Sequence, residues 1–106
     1  MKFAKINGHL LHYDFIPGIT ATDIIFLFIN SLGTDFRIWN EVAESLKSFG
    51  NILLFDNRGH GLSSIVEDTK TIDDFADDAE GLLQHLSIEK YIPIGLSVGG
   101  MVGHVL

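Results

Sequence analysis

The pattern of apolar and polar positions predicts strands that alternate with helices. Two apolar runs flank Asn7-Gly8, a dipeptide that tolerates the positive φ of a tight turn, so residues 3–16 are predicted to form a β-hairpin. Apolar residues alternate with His12 and Asp14 along its second strand, which predicts one wetter face.

Three continuous apolar runs, at residues 24–29, 52–55 and 91–94, are typical of strands buried on both faces of a parallel sheet. Pro93 lies inside the third run. Proline removes a backbone donor, so it indicates either a local bulge or a copy of the strand that has diverged.

Two segments between these runs show helical periodicity. The first helix is expected to bury Trp39, Val42, Ala43, Leu46 and Phe49. The second is expected to bury Ile72, Phe75, Ala76, Ala79, Leu82, Leu83 and Leu86, with Asp73, Asp77, Asp78 and Glu80 facing water. It is predicted to begin near Thr71, which with Asp74 fits a capping box.

This order predicts an α/β fold with a mostly parallel sheet, an N-terminal antiparallel hairpin and right-handed crossovers. Ligands bind such sheets at the carboxyl ends of the strands. Three polar, glycine-containing loops are expected at that edge, at residues 30–35, 56–63 and 95–100.

The third loop reads Gly95-Leu96-Ser97-Val98-Gly99-Gly100. A serine with a glycine two positions before it and two positions after it, between a strand and a helix predicted from residue 101, fits the nucleophile-elbow pattern G-x-S-x-G. On its own this pattern also fits an ordinary Gly/Ser turn. The two other loops at the same edge favour the catalytic interpretation of Ser97.

Composition excludes several classes of function. The 106 residues carry a net charge of −7, which argues against nucleic acid or an anionic membrane as a partner. The absence of cysteine excludes disulfides, thiolate metal sites and a cysteine nucleophile. No signal peptide or spanning segment is evident, so a cytoplasmic protein is predicted, with no cofactor and no metal.

Two motifs together resemble the N-terminal part of the α/β-hydrolase superfamily: the elbow around Ser97, and Asp56-x-Arg58-Gly59-His60-Gly61-x-Ser63. The stretch Asn30-Ser31-Leu32-Gly33-Thr34-Asp35-x-Arg37-x-Trp39 is similar to the 3-oxoadipate enol-lactone hydrolases in particular. The resemblance covers essentially the whole chain, residues 1–106, as a partial domain with strands 1–5, two helices and the start of a third.

The resemblance implies Ser97 as nucleophile, with the backbone N–H groups of Val98 and Leu32 as the oxyanion hole. The implied reaction is attack of Ser97 on an enol-lactone or small ester, an acyl-enzyme intermediate and release by water.

In this family the triad acid and base follow the serine. After Ser97 the sequence has no acid and one histidine, His104, about two helical turns on, which is a poor candidate for the base. His60 is expected to shape its loop, and Asp56 and Arg58 to form a structural pair. The remaining histidines suggest no metal site.

The chain is therefore expected to be a truncated hydrolase that is inactive alone and prone to aggregation. The implied strand order is 1-2-4-3-5, with an exposed edge at the fifth strand that would contact the missing C-terminal part or a second copy. Two alternatives remain open: a non-catalytic fragment or interaction module, and a perhydrolase or haloperoxidase-like relative.

Overall fold

Strands and helices alternate along the chain after an N-terminal pair of strands. The structure, a computed structural model, describes residues 2–19, 23–30, 35–57, 63, 72–95 and 102. Its strands are β1 (Lys2–Ile6), β2 (His9–Ile16), β3 (Ile25–Ile29), β4 (Asn51–Phe55) and β5 (Ile92–Gly95). A 3-10 helix (Phe36–Trp39) leads directly into α1 (Asn40–Leu46), and α2 (Ile72–His85) lies between β4 and β5.

The five strands form one mixed sheet in the order β1-β2-β4-β3-β5, which confirms the expected order. β2 pairs antiparallel with both β1 and β4, whereas β3 pairs parallel with β4 and β5. β3, β4 and β5 therefore run in the same direction, and their carboxyl ends meet at one edge of the sheet.

The hairpin between β1 and β2 turns at the predicted dipeptide. Asn7 has φ 51 and Gly8 has φ 86, and the flanking Ile6 and His9 are paired. Positive φ at both central residues is the signature of a type I′ turn, whose twist matches that of the two strands.

Both faces of the sheet are covered, which explains the continuous apolar runs. On the α2 face, the buried residues are Ala4, Ile6, Leu11, Leu27, Ile29, Leu53, Phe55, Ala76, Ala79, Leu82, Leu83 and Val102. On the α1 face they are Phe28, Trp39, Ala43, Ile52 and Leu54. Successive residues of β3 and β4 point to opposite faces, so each strand contributes to both clusters.

The first helix differs from its prediction. The periodic stretch predicted from Trp39 to Phe49 begins as a 3-10 helix, and α1 ends at Leu46. Because the chain turns after Leu46, Phe49 is not held on the helical stripe and is 64% exposed. Val42 is 44% exposed, so it does not belong to the buried face either.

Two polar residues are buried against expectation. Asp78, predicted to face water on α2, is only 1% exposed. His12, predicted on the wetter face of β2, is 7% exposed. Each is buried because it bonds to a polar partner far away in the sequence, and helical or strand periodicity carries no information about such partners.

β5 forms the edge of the sheet beyond β3. Its register is continuous from Ile92, opposite Phe26, to Gly95, opposite Ile29. Pro93 sits within it opposite Leu27, so of the two alternatives considered for Pro93, the register does not show a bulge. Proline is tolerated here because an edge strand needs ladder bonds on one side only.

Within the described part of the chain, no helix has the length and apolar character that crossing a membrane requires.

Candidate active site

The carboxyl ends of β3, β4 and β5 lie level with one another. Phe28 is paired with Leu54, and Ile29 with Gly95. The segments that begin at residues 30, 56 and 96 therefore leave the sheet side by side. These are the three loops in which the sequence predicted the site.

Buried polar side chains occupy this edge. Asn30, Asp56 and Asn57 are 0%, 2% and 1% exposed, respectively. Since polar groups are costly to bury unless they are hydrogen-bonded, the partners of these residues define what the edge is built to hold.

Asn30 is bonded from three directions. Its Oδ1 accepts a hydrogen bond from Trp39 Nε1 at 2.7 Å, and its Nδ2 donates to the backbone oxygen of Phe55 at 2.9 Å. Its backbone oxygen accepts from Asn57 Nδ2 at 3.3 Å. The end of β3 is thereby tied to the 3-10 helix, to the end of β4 and to the segment that follows β4.

A second buried group joins Asp56 to β2. The Oδ2 of Asp56 lies 2.8 Å from Nδ1 of His12, and the backbone N–H of Asp56 donates to the backbone oxygen of His12 at 2.9 Å. Ser63 connects the two residues, since its hydroxyl donates to the backbone oxygen of Asp56 at 2.7 Å and accepts from the backbone N–H of His12 at 2.9 Å. Asp56 was expected to pair with Arg58, which lies outside the described residues; among those described, its partner is His12.

The Asp56–His12 pair joins the carboxyl end of β4 to β2. The strand order puts β2 three positions from β5, roughly 14 Å at the usual spacing of neighbouring strands. The pair therefore braces the side of the edge that is farther from β5.

An exposed ion pair opens the 3-10 helix. Arg37 Nη2 lies 2.7 Å from Asp35 Oδ2, and Asp35 Oδ1 accepts the backbone N–H of Arg37 at 2.9 Å as the helix cap. Hydrogen bonds from the Arg37 side chain and backbone lower the pKa of Asp35. The same carboxylate raises the pKa of Arg37.

The predicted catalytic residues follow the strands of this frame along the sequence. Ser97, Val98 and Leu32 fall outside the described residues, as do His60 and His104. The frame supplies the positions from which their segments start, at Asn30 and Gly95. Among the described residues, no group of three or more His, Asp or Glu side chains is arranged to hold a metal ion.

The contacts of Asn30 and His12 were not predicted from the sequence. Asn30 was expected in a polar loop and Trp39 on an apolar helix stripe, and nothing in their spacing of nine positions indicates that they bond. The appearance of Asn and Asp directly after buried strands is a signal for a polar edge, but it does not identify the individual bonds.

The fold and this edge define an α/β hydrolase, and comparison with known proteins agrees. A family model described as the alpha/beta hydrolase fold matches residues 24–106. The chain belongs to that family, and its relatives include enol-lactonases and a bifunctional esterase/perhydrolase.

More particular similarity is to enol-lactonases. The chain is 40% identical over 75 residues to 3-oxoadipate enol-lactonase 1 of Acinetobacter baylyi, covering 71% of this chain and 28% of that protein. It is 35% identical over 80 residues to 3-oxoadipate enol-lactonase 2 of the same organism, covering 76% and 30%. The crystal structure of the enol-lactonase from Burkholderia xenovorans LB400 matches with a TM-score of 0.87 and 33% identity, over 96% of this chain and 39% of that one.

The chain thus spans between 28% and 39% of the length of these relatives.

Proposed function

We propose that this chain carries the nucleophile and oxyanion hole of a serine hydrolase that opens an enol-lactone. Ser97 would be the nucleophile, and the backbone N–H groups of Leu32 and Val98 would bind the oxyanion. The observation that carries the proposal is the level edge of β3, β4 and β5, because it starts the Leu32 segment and the Ser97 segment on adjacent strands.

The chemistry follows from that adjacency. The Ser97 oxygen would attack the lactone carbonyl while its proton passes to a base, and the carbonyl electrons would collect on the oxygen between the two N–H groups. Collapse would break the ring C–O bond and release the enolate oxygen, which takes a proton. Water would then add to the acyl-enzyme and free Ser97 and a carboxylic acid.

The lactone ring fits this sequence of steps because its alkoxy leaving group stays attached to the acyl chain. An enol oxygen is also a better leaving group than an ordinary alkoxide, since its charge delocalises. The similarity to two enol-lactonases supports this substrate class over a general ester.

A fluorophosphonate probe tests the nucleophile in protein produced from the whole reading frame that contains these residues. We expect stoichiometric labelling, lost in Ser97→Ala and unchanged in Ser45→Ala. Ser45 is a suitable control because it is exposed on α1 and bonds only locally, to the backbone oxygen of Glu41.

The substrate class is tested with the same proteins. We expect kcat/KM for an enol-lactone to exceed that for a linear ester of equal length, and both activities to vanish in Ser97→Ala. Labelling of Ser97→Ala as fast as wild type would reject the nucleophile and favour a non-catalytic role. If Ser97 is labelled but kcat/KM is higher for the linear ester, only the enol-lactone as the substrate class is rejected.

A further inference from the structure

The hydrogen bonds around Asn30 fix its backbone carbonyl as well as its side chain. Its backbone oxygen, its Oδ1 and its Nδ2 are each bonded, to Asn57, Trp39 and Phe55. Because a peptide unit is planar, fixing the Asn30 carbonyl also fixes the plane of the peptide that leads into residue 31. Residue 32, the expected oxyanion donor, follows one peptide later.

The orientation of the Asn57 amide is determined by its neighbour. The backbone oxygen of Asn30 can only accept, so the Asn57 group that faces it at 3.3 Å must be the N–H donor. Within the described part of the chain, this leaves Asn57 Oδ1 buried without a hydrogen-bond partner. An apolar side chain of similar shape would avoid that unsatisfied acceptor but would also lose the donor to Asn30.

The Trp39 bond is likewise more than packing. Trp39 is 8% exposed, and its ring lies against Phe28 with centroids 5.0 Å apart. A phenylalanine would satisfy that apolar contact. The indole N–H adds a 2.7 Å bond that fixes the rotamer of Asn30.

We propose that Asn57 and Trp39 are positioning residues that act through Asn30 to orient the backbone leading to the oxyanion donor at Leu32. This inference rests on the proposed hydrolase function. It assigns to the buried amide network a role in stabilising the transition state, beyond its part in the fold.

The chain offers a matched control at the opposite end of the same strands. Asn51 Nδ2 donates to the backbone oxygen of Ile24 at 3.1 Å, just as Asn57 Nδ2 donates to that of Asn30. Both bonds link an end of β4 to an end of β3. Asn57→Asp and Asn51→Asp therefore make the same chemical change, but only the first is near the candidate site.

The test compares these variants as whole-reading-frame proteins on the enol-lactone. We expect Asn57→Asp to lower kcat about 10- to 100-fold with little change in KM. A misplaced oxyanion donor weakens the binding of the transition state more than the binding of the substrate. Affinity for a boronic acid that mimics the tetrahedral state should fall by the same factor. Asn51→Asp should change kcat less than about threefold.

Trp39→Phe provides a second variant if Asn57→Asp does not fold, because it keeps an aromatic ring against Phe28 and removes the N–H that bonds Asn30. It should also lower kcat and boronate affinity together. Trp39 is the only tryptophan in these 106 residues, and its indole N–H signal, identified by its loss in Trp39→Phe, reports the network directly in the wild type and in Asn57→Asp. That signal should shift in Asn57→Asp and stay in place in Asn51→Asp.

The outcomes separate the two proposals. If wild type labels at Ser97 but Asn57→Asp and Asn51→Asp have equal kcat and boronate affinity, the positioning role is wrong and the hydrolase proposal stands. If wild type does not label, the hydrolase proposal fails and the positioning role fails with it.

Discussion

At the scale of single residues, Asp78 ties the N-terminal hairpin to α2. Its Oδ1 accepts from Asn7 Nδ2 at 3.2 Å, and its Oδ2 lies 3.1 Å from His9 Nε2. Asn7 lies in the hairpin turn, and His9 is the first residue of β2 after it. One buried carboxylate therefore holds the turn against the helix, where the acidic composition of α2 suggested only a solvated face.

We expect Asp78→Ala to lower the free energy of unfolding by about 1–3 kcal/mol, because it removes a buried carboxylate and leaves the polar groups of Asn7 and His9 without this part-buried partner. Asp77→Ala is the control, since its carboxylate is exposed one position earlier on α2. It should change stability by less than about 0.5 kcal/mol. Urea unfolding measures both, and equal losses would show that Asp78 contributes no more than an exposed acid.

At the scale of elements, the 3-10 helix depends on its cap. Asp35 both caps the 3-10 helix and pairs with Arg37. One carboxylate therefore holds the start of this helix, which follows the predicted oxyanion loop in the sequence. The pair is exposed, and solvent screens most of its Coulombic attraction.

Asp35→Asn should destabilise the protein slightly at neutral pH, because it removes the charge while keeping a cap oxygen. The pKa of Asp35 is lowered from its ordinary value of 3.8. The carboxylate therefore contributes stability that is present above pH 3.8 and is lost as the pH falls through the lower folded value.

Thermal melts of wild type and Asp35→Asn at a series of pH values check this expectation. The two melting temperatures should converge as the pH falls below 3.8, and high salt should reduce the difference at neutral pH. Glu41→Gln, at an exposed acid in the first turn of α1, is the control. A difference that persists unchanged at low pH would contradict an ionic contribution from Asp35.

Most elements could be predicted from the sequence because their signals are local. Asn7-Gly8 specifies its turn through backbone conformation, and the apolar runs of β3 and β4 specify burial on two faces. The frame of the candidate site could not be predicted in the same way. The bonds of Asn30 to Trp39 and of His12 to Asp56 join separate elements, and no spacing along the chain encodes them.

At the scale of the whole molecule, the two edges of the described sheet differ. β1 carries Lys2 and Lys5, charged residues that discourage pairing with another chain. β5 has the sequence IPIG and no charge, with Ile92 47% exposed. Pro93 is the one feature of β5 that opposes the addition of another strand.

We expect Ile92→Lys to slow aggregation of the 106-residue chain several-fold, because a charge on this edge opposes strand addition. Leu10→Lys is the matched control: Leu10 is also 47% exposed, but β2 is bonded on both sides. Light scattering at equal concentration measures the effect. Equal slowing by both variants would attribute it to net charge rather than to the β5 edge.

The tie at Asp78 also has a consequence for the order of folding. It joins residues that are 69 and 71 positions apart, and closing so long a loop is entropically more costly than closing a short one. β3, α1 and β4 meet over shorter stretches of chain and are expected to assemble sooner. The hairpin is synthesised before α2, and its bonds to that helix can form only after some 70 further residues have been made.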